Sequence, residues 1–213
     1  MSSSSPLPPN SRRQLAIQLE NVSGFANPSE KMEQYALDAE AAADILWTVK
    51  NETPGIGSSL VLDLGCGTGI LTIGAALIGA ALAIGVDFDS SALEKGRETA
   101  HRLGVESQTD WVLAHIPEVA VKSDLVVQNP PFGVKRRGSD LAFLEVALHS
   151  GSVVYSLHLA SQSGRDFLQR FIEQHGGTLS GIIPITVRIR HTLPKHRKRL
   201  HEVRAELYKI KVK

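Results

Sequence analysis

Two short stretches combine residue types and spacings that could do chemistry. The first is Asp63-Leu64-Gly65-Cys66-Gly67-Thr68-Gly69, at the end of the apolar run Leu60 to Leu64. Its glycines allow a tight turn and let a ligand come close to the backbone. Asp87, in "GVDFD", follows Gly69 by 18 positions, near the spacing at which an acid takes ribose hydroxyls in sheets of this kind. The second is Asn129-Pro130-Pro131-Phe132, within "LVVQNPPFGVKRRGSD". Two prolines after an apolar run end a strand and form a turn. An amide before them, an aromatic ring after them and Lys135, Arg136 and Arg137 beyond are more than a turn requires.

Both stretches need elements to hold them. Arg12 to Lys50 reads as mostly helical, with Asn27 or Ser29 as a helix start and Met32, Tyr35, Leu37, Ala41, Ile45 and Leu46 as an irregular apolar stripe. Strand-like and helix-like segments then alternate. Strands are expected at Leu60–Leu64, Ala81–Val86, Asp110–Ala114, Asp124–Val127 and Val153–Leu157. Helices are expected from Gly69 to Ile78, Ser90 to Leu103, Leu141 to His149 and Gly164 to His175. Two longer strands, near Gly181–Ile189 and Arg204–Val212, have no helical pattern between them and should form an antiparallel pair at one edge. This alternation predicts an α/β fold, a mostly parallel seven-stranded sheet with an antiparallel final strand and helices on both faces. A single domain from residue 12 to 213, with a helical element at about 12–55 and a disordered tail at 1–11, is the expected organisation.

Glycine loops of this kind serve both dinucleotides and S-adenosylmethionine. The G-x-G-x-G spacing, with an acid two positions before the first glycine, resembles motif I of Rossmann-like class I S-adenosylmethionine-dependent methyltransferases rather than the pyrophosphate-binding G-x-G-x-x-G. That resemblance puts Asp63 near the methionine amino group, Gly65, Cys66, Gly67, Thr68 and Gly69 in the cofactor loop, and Asp87 and Phe88 at the nucleoside. Asn-Pro-Pro-Phe at the fourth strand resembles the (D/N/S)-P-P-(Y/F/W) motif of amino-methyltransferases. An exocyclic amine on adenine is a poor nucleophile, because its lone pair is delocalised into the ring. Two acceptors that hold its hydrogens turn that lone pair toward the methyl group. The Asn129 side-chain oxygen and the Pro130 carbonyl would be those acceptors, stiffened by Pro131. Phe132 would be a stacking face, worth on the order of 1–3 kcal/mol.

Beyond these motifs, "LEN…EQYALDAEAAADILW", "RRGSDLAFLEVAL", "VVYSLH" and "TLPKHRKRLHEVRAELYKIKV" resemble the eukaryotic small-subunit ribosomal RNA adenine-N6 methyltransferases and their archaeal relatives, over Leu15 to Val212. The resemblance implies that Gln34 and Tyr35 close over the cofactor, and that the loop of Lys135, Arg136 and Arg137 lies beside the target base. An Asp common after the third strand of that family is here replaced by His115, which becomes a candidate for the adenine contact or a plain surface residue. His158 is either a pocket residue or a strand-end cap. The family also implies RNA as substrate, S-adenosylhomocysteine as product, no metal, and a small zinc-ribbon activator subunit, expected on the edge strand near Trp111 and Val112.

The chain has 213 residues and a net charge of +1, so it is no polycation as a whole. Charge is uneven, however: Arg188 to Lys213 holds ten Lys and Arg against Glu202 and Glu206. His196, Arg197, Lys198 and Arg199 are candidates for phosphate contacts. One cysteine excludes an intrachain disulfide and a multi-cysteine zinc site, and suits a reducing, cytoplasmic setting. No run has the length of a membrane span, and "MSSSSPLPPN" has no signal-peptide core. Cys66 is read as a small loop residue, with a catalytic thiol as the alternative. Two rival functions stay open: a protein-glutamine N5 methyltransferase, which shares the Asn-Pro-Pro turn, and a non-catalytic RNA-binding ribosome-assembly factor that keeps the fold.

Overall fold

The computed structural model describes residues 8–25, 34, 36–132, 138–189 and 201–212. Its framework is a seven-stranded sheet in the order β3-β2-β1-β4-β5-β7-β6. The strands are β1 Leu60–Leu64, β2 Leu82–Asp87, β3 Thr109–Leu113, β4 Ser123–Gln128, β5 Gly151–Leu159, β6 Gly177–Ile189 and β7 His201–Val212. The first five run parallel, and β7 is antiparallel to both β5 and β6. The expected closing pair therefore exists, but β7 sits inside the sheet and β6 forms the edge.

β1, Asp63 apart, and Leu125, Val126 and Val127 at the centre of β4 are apolar because both faces of a parallel sheet are covered. Helices α1 (Arg12–Leu19), α2 (Ala39–Glu52) and α3 (Ile70–Leu77) build the apolar cluster on one face. On the other, α5 (Ser139–Ser150) and α6 (Gln162–Gln174) bury Leu144, Leu148, Leu168 and Ile172 against Leu62, Val126, Val154 and Ile210. Helix α4 (Ser90–Arg102) begins at Asp89, whose carboxylate accepts from the Ser91 and Ala92 amides.

The N-terminal part departs from the sequence expectation. Residues 20–25, 34 and 36–38 are not helical, so in the stretch expected to be mostly helical the described helices are α1 and α2. Asp38 explains the second start: its Oδ1 accepts from the Ala41 amide at 3.1 Å, while Oδ2 takes the Arg188 amide of β6 at 2.6 Å. Leu37 thus lies ahead of the helix, not on its stripe. The proposed starts at Asn27 and Ser29, with Met32 and Tyr35, lie outside the described residues. Ser11 caps α1, and the buried Pro9 gives its carbonyl to Lys50 Nζ at 3.0 Å. The packed part therefore begins a few residues before Arg12.

Trp111 also differs from expectation. It stands on the edge strand, but its ring is buried where Gly69 and Gly96 leave room for it. Leu113, two residues on and 61% exposed, is what that edge presents.

Candidate active site

The chain passes from β1 outward through β2 and β3, then returns to lay β4 on the other side of β1. Ligands of open α/β sheets bind beyond the carboxyl ends of the strands at such a reversal. A crevice of about 460 Å³ lies there, lined by the residues after β1, β2 and β4, the start of α5 and the segment before α2.

The loop after β1 is stitched to β2. The Gly65 and Cys66 amides both donate to the Val86 carbonyl, at 2.8 and 3.0 Å. Gly65, Gly67 and Gly69 have φ of 69°, 55° and 84°, a region L side chains avoid. Gly65, Cys66, Gly67 and Thr68 line the crevice. Gly69 does not: it starts α3 and leaves room for Trp111.

Asp63 is almost fully buried and lines the crevice. Its Oδ2 accepts from the Thr72 amide at 2.9 Å and the Thr72 hydroxyl at 2.7 Å. Burial outweighs these donors and pushes its pKa up to about 7. Asp87, at the end of β2, takes the Gly67 amide on Oδ2 at 2.8 Å and the Asp89 amide on Oδ1 at 2.9 Å. Burial raises its pKa too, against the pull of those amides. Cys66 is pushed well above an ordinary thiol, first by burial and then by the two acids, which disfavours its thiolate.

Phe88 and His115 line the same end of the crevice, their rings 5.9 Å apart and parallel within 2°. Gln34 reaches in from the segment before α2, and its Nε2 donates to Asp89 Oδ2 at 3.0 Å. Burial works against the Asp89 carboxylate, but donors from Ser91, Gln34 and the α4 amides outweigh it and lower its pKa.

Asn129, Pro130, Pro131 and Phe132 form the opposite wall. The Asn129 Oδ1 is buried and has no hydrogen-bond partner among the described residues. A buried acceptor without a donor is uncommon and needs a reason. His158 is not part of this wall. It is a buried residue of β5, hydrogen-bonded to Ser156 and edge-on to Tyr208, and burial lowers its pKa to about 4. Tyr35, Lys135, Arg136, Arg137, His196, Arg197, Lys198 and Arg199 lie outside the described residues.

Two aromatic residues of the crevice escaped sequence reasoning. A Cβ on Gly65 would come within 2.5 Å of Phe143, and one on Gly67 within 2.6 Å of Phe25. Phe143 belongs to an apolar helix and Phe25 to an aperiodic segment, so neither carried a local signal. Among the described residues, no group of His, Cys, Asp and Glu could hold a metal ion, and no helix is long and apolar enough to cross a membrane.

Comparison with known proteins adds names to this geometry. A family model described as Ribosomal protein L11 methyltransferase (PrmA) matches residues 48–130. The rRNA N(6)-adenosine-methyltransferase METTL5 of Danio rerio is 38% identical over 164 residues, 74% of this chain and 78% of its own length. The Drosophila melanogaster enzyme of the same name is 30% identical over 94% of this chain and 96% of its own length. The crystal structure of PH1948 from Pyrococcus horikoshii is 33% identical and superposes with a TM-score of 0.86, over 94% of this chain and 98% of that one.

Proposed function

This chain belongs to the METTL5 family of rRNA N(6)-adenosine-methyltransferases, and from that premise we propose that its crevice joins S-adenosylmethionine to an adenine of RNA, most simply small-subunit ribosomal RNA, and methylates the N6 amine. The observation that carries this reading is Asn129 Oδ1, a buried acceptor on the crevice wall with no donor among the described residues. An amine hydrogen is the partner it lacks.

The residues present fit S-adenosylmethionine. Gly65 and Gly67 keep the loop free of side chains, Asp63 suits the methionine ammonium, Asp87 the ribose hydroxyls, and the Phe88 and His115 rings suit the adenine. Gln34, tied to Asp89, supports a covering role for its segment. When bound, this cofactor supplies a methyl group on a sulfonium, so no metal is needed to activate it.

Asn129 and the Pro130 carbonyl hold the two amine hydrogens, and the lone pair is thereby aimed at the methyl group. Pro131 fixes the backbone that carries the carbonyl. Phe132 gives the flipped base a stacking face. Positive charge appears on the nitrogen as it leaves the sulfonium, so the amine proton can depart afterwards to water. A strong base facing the amine is unnecessary. His158, buried on β5 and away from the crevice, is not placed to serve as one.

Lys135, Arg136, Arg137 and the run His196 to Arg199 are assigned to the RNA backbone by their charge, which predicts salt-sensitive binding. A zinc-ribbon activator subunit belongs to the same proposal, paired along the outer side of β3 with Leu113 as its apolar contact. Full activity of the isolated chain would remove it. The setting is the cytoplasm.

The test is transfer of labelled methyl from S-adenosylmethionine to ribosomal RNA from cells lacking the protein, with the product resolved as N6-methyladenosine by mass spectrometry. Label in protein instead would select the glutamine reading. Failure to bind S-adenosylmethionine in calorimetry would leave only a non-catalytic assembly factor.

A further inference from the structure

Behind the Asn129 turn, on the sheet face covered by α5 and α6, polar side chains take the place of core. Gln128 Nε2 donates to Ser156 Oγ at 2.9 Å, and Ser156 Oγ shares a 2.8 Å hydrogen bond with His158 Nε2. Gln128 and Ser156 have no exposed surface, and His158 keeps 4%. The strand register creates this row: Gln128 stands opposite Ser156 on β5, and Ser156 opposite Tyr208 on β7. The His158 ring meets the Tyr208 ring edge-on at 5.3 Å. The Tyr208 hydroxyl donates to Glu206 at 3.2 Å, and Glu206 pairs with Arg165 of α6. Gln128, Ser156 and His158 do not line the crevice, so they need not touch cofactor or target.

Buried polar groups on parallel strands call for an explanation, since apolar residues of similar size pack there without a desolvation cost. The prolines supply one. β4 ends at Gln128, and Pro130 and Pro131 have no N–H with which to extend the ladder to β5. Backbone donors therefore cannot tie down those two positions. The Gln128–Ser156 bond is the last side-chain tie from β4 before it. His158, packed against Tyr208, fixes the far end of that tie.

We propose that Gln128, Ser156 and His158 are positioning residues: a buried brace that sets where the Asn129 oxygen and the Pro130 carbonyl stand. It rests on the reading of those two groups as the amine's acceptors. A displacement of the turn by ~1 Å would misalign the lone pair, and misplacements of that size cost about 100-fold in rate.

The test compares Ser156→Thr with Ser156→Val in the full chain. Both add the same bulk, and only threonine keeps the hydroxyl. Methyl transfer from labelled S-adenosylmethionine to ribosomal RNA from cells lacking the protein gives kcat and KM; calorimetry gives cofactor affinity and a melt gives Tm. The valine variant is expected to lose about 10- to 100-fold in kcat, with KM and cofactor affinity within about twofold of wild type. The threonine variant should keep most of the wild-type kcat. Equal kcat in the two variants, or a loss confined to KM, overturns the brace. If neither folds, Gln128→Met removes the same bond at similar length; unchanged kcat there overturns it too. A wild-type protein that methylates no RNA adenine fails the amine reading itself, and shows it before any variant is made.

Discussion

The loop after β1 and the turn after β4 line one crevice, yet the first is built of glycines and the second of prolines. The contrast follows from what each must do. A cofactor that runs along the backbone needs side chains out of its way, and positive φ gives the loop its curl. An amine that must be aimed needs acceptors that do not move, and proline removes a backbone torsion from one of them. The electrostatics differ as well. The cofactor wall carries two buried acids, Asp63 and Asp87, with raised pKa values. The amine wall carries a neutral amide backed by a histidine that burial keeps neutral. In the proposed function, one wall receives a charged ligand and the other orients an uncharged one.

The largest effect should come from breaking the amine wall. Asn129→Ala is expected to lower kcat by about 10²–10³-fold, the usual loss for one preorganised polar group. S-adenosylmethionine affinity, measured by calorimetry, should stay near wild type. A loss of affinity as large as the loss of rate would merge the two walls into one function.

Asp87→Ala should do the reverse. It removes the acceptor proposed for the ribose and leaves the Gly67 and Asp89 amides without their carboxylate. Cofactor binding should weaken about 10- to 100-fold, as expected for charge-assisted hydrogen bonds. At saturating cofactor, kcat should recover most of its value.

Two glycines separate backbone strain from collision. Gly138 has φ of 83° and nothing within 4 Å of a new Cβ, while Gly69 has φ of 84° with Trp111 in the way. Gly138→Ala should cost about 1 kcal/mol, some 2–4 °C in Tm. Gly69→Ala should cost roughly 2–5 kcal/mol, because the Trp111 ring must shift as well. Equal Tm values would mean that Trp111 yields freely.

The smallest effect is in pH and has opposite signs on the two sides. The Asp63 pKa is raised from 3.8 to about 7, so its contribution to stability is full below pH 3.8 and lost as pH rises through 7. The His158 pKa is lowered from 6.5 to about 4, so its contribution is full above pH 6.5 and lost as pH falls through 4. Melts of Asp63→Asn should gain on wild type between pH 5 and 8, and those of His158→Gln between pH 6.5 and 4. Cofactor binding should tighten above pH 7, where Asp63 is ionised. Parallel pH profiles for both variants would show that neither group titrates in this window.

The sequence made local things legible. Asp63, the glycines, Asp87 and the Asn-Pro-Pro-Phe turn are short motifs whose residue types answer to backbone conformation and ligand chemistry, and the alternation of strands and helices fixed the sheet. What depends on register did not show. Gln128, Ser156, His158 and Tyr208 come from three strands, and only the pairing of β4 with β5 and of β5 with β7 brings them together. Phe143 meets Gly65 and Phe25 meets Gly67 through tertiary packing with no periodic trace. Trp111 looked like surface because its strand is an edge; the two glycines that receive its ring lie on other elements.

The place of β7 has a consequence for how the molecule is made. β7 follows β6 in the chain but lies between β5 and β6. Until residues 201–212 have left the ribosome, β5 and β6 lack the strand that lies between them in the folded sheet. Long-range pairing of this kind is slow to form and leaves strands open to association with other chains. β7 also brings Glu206 and Tyr208, which stand against Arg165 and His158. A nascent chain can thus shape its glycine loop early, but the polar side chains behind the Asn129 turn meet their β7 partners only after β6 has been made. A chain interrupted after β6 would carry the glycine loop and two open strand edges, and would lack Glu206 and Tyr208 behind the Asn129 turn.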